Sequence, residues 1–157
     1  MQLTSEAFRM EEEIPVQYTS DGENTSPELS WKDAPPNTKS FALIVHDPDA
    51  PRSGGFTHWV FYNIAPETGH LEPKVPQEEE IAGVGTQGRN DAGKLGYVGP
   101  APPSGTHRYF FRLYALDMML GLPSGATHQQ VKEAMQGHIL AQAELMGTYK
   151  KKSQQAA

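Results

Sequence analysis

Three runs of β-branched and aromatic residues dominate the chain, and proline or glycine closes in around each. Ser40 to His46 (SFALIVH), His58 to Ile64 (HWVFYNI) and His107 to Leu116 (HRYFFRLYAL) read as strands. The third alternates, with Tyr109, Phe111 and Leu113 on one face and Arg108 and Arg112 on the other. Weaker strands are predicted near Leu3 to Phe8, Val16 to Thr19 and Leu29 to Trp31. Loops rather than helices separate these runs. The pattern requires an antiparallel sheet system, not alternating βαβ units.

Helix is confined to the end of the chain. Thr127 and Gln130 form a capping-box pair, followed by Val131, Ala134 and Met135 at helical spacing. A second short helix is predicted from about His138 to Met146, burying Ile139, Leu140 and Ala143 before Gly147. The stretch from Pro66 to Pro103 shows no clear element. A gap of that length in a compact domain is either functional or conceals strands. The chain reads as one domain over residues 1–152, with a loose tail at 153–157.

At 157 residues the chain is long enough to bury a full core. Its 15 glycines and 13 prolines suit a fold rich in turns. Cysteine is absent, which excludes disulfides, thiolate metal sites and cysteine nucleophiles. The first residues lack the basic start and apolar run of a signal peptide, so a cytoplasmic location is expected. Phe41 to Val45 is too short to cross a bilayer, and no membrane insertion is expected. A net charge of −6, with acidic runs at 11–13 and 78–80, opposes nucleic-acid binding. The basic run Lys150 to Lys152 either complements a helix end or frays in solvent.

One familiar motif is rejected. Gly83 to Gly88 matches G-x-G-x-x-G, but an acidic run precedes it and turn residues follow. A dinucleotide site needs a strand before and a helix after.

Stronger signals lie at the strand ends. Asp47 continues the parity of Phe41, Leu43 and Val45, so its carboxylate extends an inward-facing row. Asp49 follows in the proline-stiffened turn DPDAP, where capping a backbone N–H explains it as well as function does. His58 opens the second strand; a lone histidine there is more often structural. His107 and Tyr109 share parity with Phe111 and lead the third strand out of a glycine- and proline-rich loop. Buried polar groups on such a row need partners, because an orphaned one costs about 1–3 kcal/mol. They satisfy one another or they converge on a ligand. With Asp47 holding one imidazole nitrogen, two imidazoles, a phenol and loop amides would form a donor-rich cup for an anion. Anion binding through a charged histidine would strengthen as pH falls through about 6 to 7.

DPDAP (Asp47 to Pro51), the pair His58-Trp59 and GPAPPSGTHRY (Gly99 to Tyr109) together resemble the signature blocks of the phosphatidylethanolamine-binding protein family. That family is also known through Raf kinase inhibitor protein. The prokaryotic branch is most similar, through SDGENTSPELSW (Ser20 to Trp31), GRNDAGKLGY (Gly88 to Tyr97) and HILAQAELMGTY (His138 to Tyr149). The resemblance implies a mainly β fold, an antiparallel two-sheet sandwich-like core with short C-terminal and flanking helices. It also implies a small pocket for phosphate, phosphoethanolamine headgroups or carboxylates. By position, Asp47, His58, His107 and Tyr109 match the pocket's polar members, and Asp49 is taken with them as a candidate binding residue. Pro51, Pro102 and Pro103 match its rim, and Ala101 its amide-donating loop. Animal members carry glycine where Ala101 stands and a longer spacer than Ser104-Gly105-Thr106.

The leading functional expectation is a non-enzymatic module that binds a small anionic ligand and regulates a protein partner as an inhibitor. No cofactor or metal is expected, and a homodimer is allowed. Two alternatives stand behind it. Asp47, His58 and His107 imitate a metal facial triad, and Asp47 with His58 could act as an acid–base pair in hydrolysis. The second lacks an evident nucleophile, since no G-x-S-x-G elbow is present.

Overall fold

The computed structural model describes residues 1–155; Ala156 and Ala157, the end of the expected tail, lie outside the described residues. Among the described residues, nine strands form two sheets. In chain order these are β1 (Gln2–Thr4), β2 (Leu29–Lys32), β3 (Ser40–Asp47), β4 (Phe56–Ile64) and β5 (His70–Leu71). They continue with β6 (Glu80–Ile81), β7 (Gly85–Gln87), β8 (Thr106–Leu116) and β9 (Ile139–Lys150), with helix α1 (His128–Met135) between the last two. The smaller sheet has the order β1-β2-β5 and the larger β6-β7-β4-β3-β8-β9, and every pairing is antiparallel.

The central strands are buried on both faces. One face of β3 contributes Phe41, Leu43 and Val45 to a core shared with Leu29 and Trp31 of β2 and with Leu71 of β5. The other face contributes Ala42 and Ile44, which pack with Val60, Tyr62 and, from α1, Val131 and Met135. Each fully buried large apolar side chain stabilises the fold by about 1.5–3 kcal/mol. This two-sided burial explains the unbroken apolar run in Ser40 to His46, while β8 alternates because its second face is only half covered.

Helix α1 starts as its sequence directs. The Thr127 hydroxyl accepts from Gln130 N at 3.3 Å, and Gln130 Oε1 accepts from Thr127 N at 2.9 Å. Gly137, at φ 80°, turns the chain out of the helix.

The second predicted helix is a strand instead. Ile139 to Lys150 pairs with β8 along its length, placing Leu145 opposite Phe111 and Ala143 opposite Leu113. Ile139, Leu140 and Ala143 fit helical spacing, but Ala143, Leu145 and Tyr149 alternate into the core, and the open edge of β8 selects that period. Val16 to Thr19 also departs from expectation. Pro15 offers no N–H to a ladder, and Val16–Tyr18 closes as a 3₁₀ turn with Tyr18 N donating to Pro15 O at 3.0 Å. The first strand ends at Thr4, because the Glu28 carboxylate captures Glu6 N at 2.8 Å and leads the chain out of the sheet.

The gap from Pro66 to Pro103 holds three short strands, β5 to β7. Within it, Gly83 to Gly88 forms part of the β6–β7 hairpin, with no helix after it. The basic run lies at a strand end rather than a helix end, and Lys152 N donates to Asp21 Oδ2 at 2.8 Å. Lys152–Gln154 makes a 3₁₀ turn that docks on the 103–105 loop: Gln154 Nε2 donates to Pro103 O at 2.8 Å, and Gly105 N to Gln154 Oε1 at 3.1 Å. Gln154 is thus hydrogen-bonded to that loop. No described helix is long and apolar enough to cross a membrane.

Candidate functional site

Asp47 is the last residue of β3, where Pro48 ends the ladder for want of an N–H. Its carboxylate is 2% exposed and fully engaged. Oδ1 accepts from Asp49 N at 2.7 Å, and Oδ2 accepts from His107 Nδ1 at 2.7 Å. The Asp47 pairing puts the Nδ1 proton of His107 on the carboxylate side and turns Nε2 the other way.

His58 enters from β4, buried between Phe56 and Tyr109, with ring centroids 4.8 Å and 5.2 Å away. Its Nδ1 donates to Val98 O at 2.7 Å. Burial pushes its pKa below the ordinary imidazole value, although the Val98 carbonyl and Asp47 pull the other way. A neutral His58 therefore presents a bare Nε2.

Tyr109 follows two residues after His107 on the same face of β8, its ring stacked 6.5 Å from that imidazole. It is 1% exposed, and its hydroxyl has no hydrogen-bond partner among the described residues. Burial, with Asp47 nearby, pushes the phenol pKa up, so the hydroxyl stays protonated and able to donate.

These side chains line one cavity of about 360 Å³ at the ends of β3, β4 and β8. Pro51, Ala101, Pro102 and Pro103 also line it. The loop carrying the last three is pinned from the N-terminal arm. Gly99 N donates to Asn24 Oδ1 at 2.7 Å, and Ser20 N to Pro100 O at 2.9 Å. Only glycine fits at 99, since a Cβ there would sit 2.3 Å from Tyr18 O.

Asp49 is the one expected site residue outside the cavity lining. Its carboxylate accepts from Arg108 N and Nε, both at 2.9 Å, and from Arg108 Nη2 at 2.8 Å. Those bonds hold its pKa at about 2. Asp49 clamps the DPDAP turn to β8, a positioning task that its place in the motif did not distinguish from binding.

Several walls were missed in the sequence. Phe56 belongs to the start of β4, two residues earlier than the aromatic run suggested, and Arg52 lies 5.5 Å over its ring. Val98 emerges from the unreadable gap, where its carbonyl fixes the His58 tautomer. Among the described residues no three His, Asp or Glu side chains group so as to hold a metal ion. The lining contains no serine, threonine or lysine.

A two-sheet antiparallel fold with a histidine-lined hollow at its strand ends defines the class of protein. The family model described as phosphatidylethanolamine-binding protein matches residues 4–150, and the chain belongs to that family. The UPF0098 protein of Methanothermobacter thermautotrophicus is 53% identical over 151 residues, covering 96% of this chain and 99% of that protein. The UPF0098 protein of Aquifex aeolicus is 49% identical, covering 96% of this chain and 89% of that protein. Among solved structures, a phosphatidylethanolamine-binding protein homologue from Chlamydia trachomatis is 46% identical with a TM-score of 0.87, covering 96% of this chain and 97% of its own. Escherichia coli YbcL, described as a member of the mammalian family, is 32% identical with a TM-score of 0.86, covering 95% of this chain and 97% of its own.

Proposed function

We propose that the strand-end cavity binds a small anionic group, a phosphate, phosphoethanolamine headgroup or carboxylate, and that the protein is a binding module rather than an enzyme. The observation that carries this reading is the Tyr109 hydroxyl, buried beside two imidazoles; among the described residues it has no hydrogen-bond partner and neither do their Nε2 atoms. An unpaired buried hydroxyl costs about 1–3 kcal/mol, and a ligand oxygen removes that cost. Asp47 holds His107 Nδ1 at 2.7 Å, which leaves the Nε2 edge of that ring to a ligand oxygen. A cavity of about 360 Å³ suits a headgroup, not a whole lipid. The absence of a serine, threonine or lysine from its lining, and a Tyr109 phenol kept protonated by burial, favour binding over hydrolysis. On this reading the occupied pocket alters how the protein engages a protein partner, in an inhibitory role.

Isothermal titration with inorganic phosphate and with phosphoethanolamine tests the reading. His107→Ala is expected to weaken binding at least tenfold, about 1.4 kcal/mol, with an unchanged circular dichroism spectrum. Equal affinity in the variant, or no binding by the native protein, would remove the cavity from consideration. A chelator leaves the affinity unaltered if no metal takes part.

A further inference from the structure

Neighbouring strand residues point to opposite faces, so His46 opens away from the Asp47 cavity. It lines a second hollow of about 640 Å³ between the larger sheet and α1. His46 Nδ1 lies 3.0 Å from Thr57 Oγ1, and the same hydroxyl lies 2.8 Å from His128 Nδ1. The two rings meet edge to face with centroids 5.3 Å apart.

This geometry fixes the protons of the neutral pair. The Nε2 edge of His46 faces the Gly54–Gly55 turn, where the Gly54 carbonyl favours a proton. Its Nδ1 is then an acceptor, and the Thr57 hydroxyl donates to it. Having one hydrogen, that hydroxyl must accept from His128 Nδ1. His128 Nε2 is left without a proton at the cavity.

The surrounding charge is positive. Arg52 of the turn, Arg112 of β8 and Lys132 of α1 all line the hollow, in a chain whose net charge is −6. Lys132 enters no ion pair among the described residues. Arg112 pairs through Nε with Glu144 of β9 at 2.9 Å and lies over the Phe110 ring at 4.6 Å, and among the described residues its terminal nitrogens make no hydrogen bond. Asp91 is the single carboxylate in the lining, and its Oδ2 already accepts from Thr57 N at 2.7 Å. The amino end of α1, with its partial positive charge, also faces this hollow. Burial, then His46 and Lys132, hold the His128 pKa at about 4; burial also lowers that of His46. The hollow sets two imidazoles of lowered pKa amid positive charge.

We propose that this hollow is a second ligand site, taking a phosphate group through Lys132, Arg112 and a protonated His128. A dianion supplies the missing negative charge and several acceptor oxygens, and it draws a proton onto His128 Nε2. The site lies on the opposite face of the sheet, shares only Arg52 with the lining of the Asp47 cavity and does not depend on that cavity's function.

Inorganic phosphate, titrated into the native full chain at pH 6 and constant ionic strength, tests this by NMR of the imidazole resonances. The His128 and His46 signals are expected to shift with saturation and to titrate at higher pH when phosphate is present. Lys132→Glu, at an exposed helix position, is expected to weaken that response at least tenfold without diminishing any response at His107. His107→Ala is expected to leave the His128 response at least as strong as in the native chain. Static His46 and His128 signals, an equal response in Lys132→Glu, or the same shifts from sodium chloride would each overturn the proposal.

Discussion

Asp47 Oδ2 and His107 Nδ1 stand 2.7 Å apart, joining the end of β3 to the start of β8 across 60 positions of sequence. Asp47 also holds Asp49 N through its other oxygen, so one carboxylate organises both the turn and the imidazole. Asp47→Ala strands two donors in a buried setting and is expected to cost about 3 kcal/mol, read from urea unfolding. Asp47→Asn keeps one acceptor and should cost less. Equal stability of all three proteins would show that the pair organises nothing.

Tyr109 separates binding from structure. Removing a buried hydroxyl that has no partner should leave the free protein as stable as before, or more stable by about 1 kcal/mol. The same Tyr109→Phe change should weaken phosphate binding several-fold. Thermal melts with and without phosphate measure both effects. A marked loss of stability without ligand would mean that the hydroxyl is satisfied inside the protein.

Acid should weaken the fold through its histidines. His46, His58 and His128 all have pKa values below the ordinary 6.5, with burial the foremost cause in each. The unfolded chain therefore binds more protons than the native one as pH falls through that value. Stability is full above it and is lost on the way down, for His128 between about 6.5 and about 4. Urea midpoints measured in phosphate-free buffer at pH 7.5, 6, 5 and 4.5 should decline. His128→Gln should make the decline shallower. A flat series would contradict the lowered values.

Gly99 tests the pocket wall. A Cβ there would lie 2.3 Å from Tyr18 O and 2.5 Å from Asn24 Oδ1, so the backbone must shift. Gly99→Ala is expected to destabilise by about 1–3 kcal/mol and to weaken phosphate binding, because the loop carrying Ala101 to Pro103 moves with it. Native affinity in a destabilised variant would show that the loop's position is unimportant to the ligand.

Parity made much of the site legible. Asp47, His107 and Tyr109 each extend a row of core residues, and the structure buries all three at one end of the sheet. What parity could not show was the meeting of separate strands, which depends on the register of β3 with β8. Asp49 carried the same motif signal as Asp47, yet Arg108, a partner 59 positions away, draws it out of the cavity. β9 was ambiguous because its apolar residues satisfy two periods, and only the edge of β8 decides between them. Strands β5 to β7 have two or three residues each, too few for any period to register.

Arg52 forms part of the wall of both hollows. A single guanidinium cannot lean toward two guests at once. Whatever draws it to one side leaves the other poorer by a cation, so occupancy on opposite faces of the sheet should be mutually discouraging. Thermodynamic reciprocity makes that penalty equal in both directions, turning one surface arginine into the arbiter between two chambers.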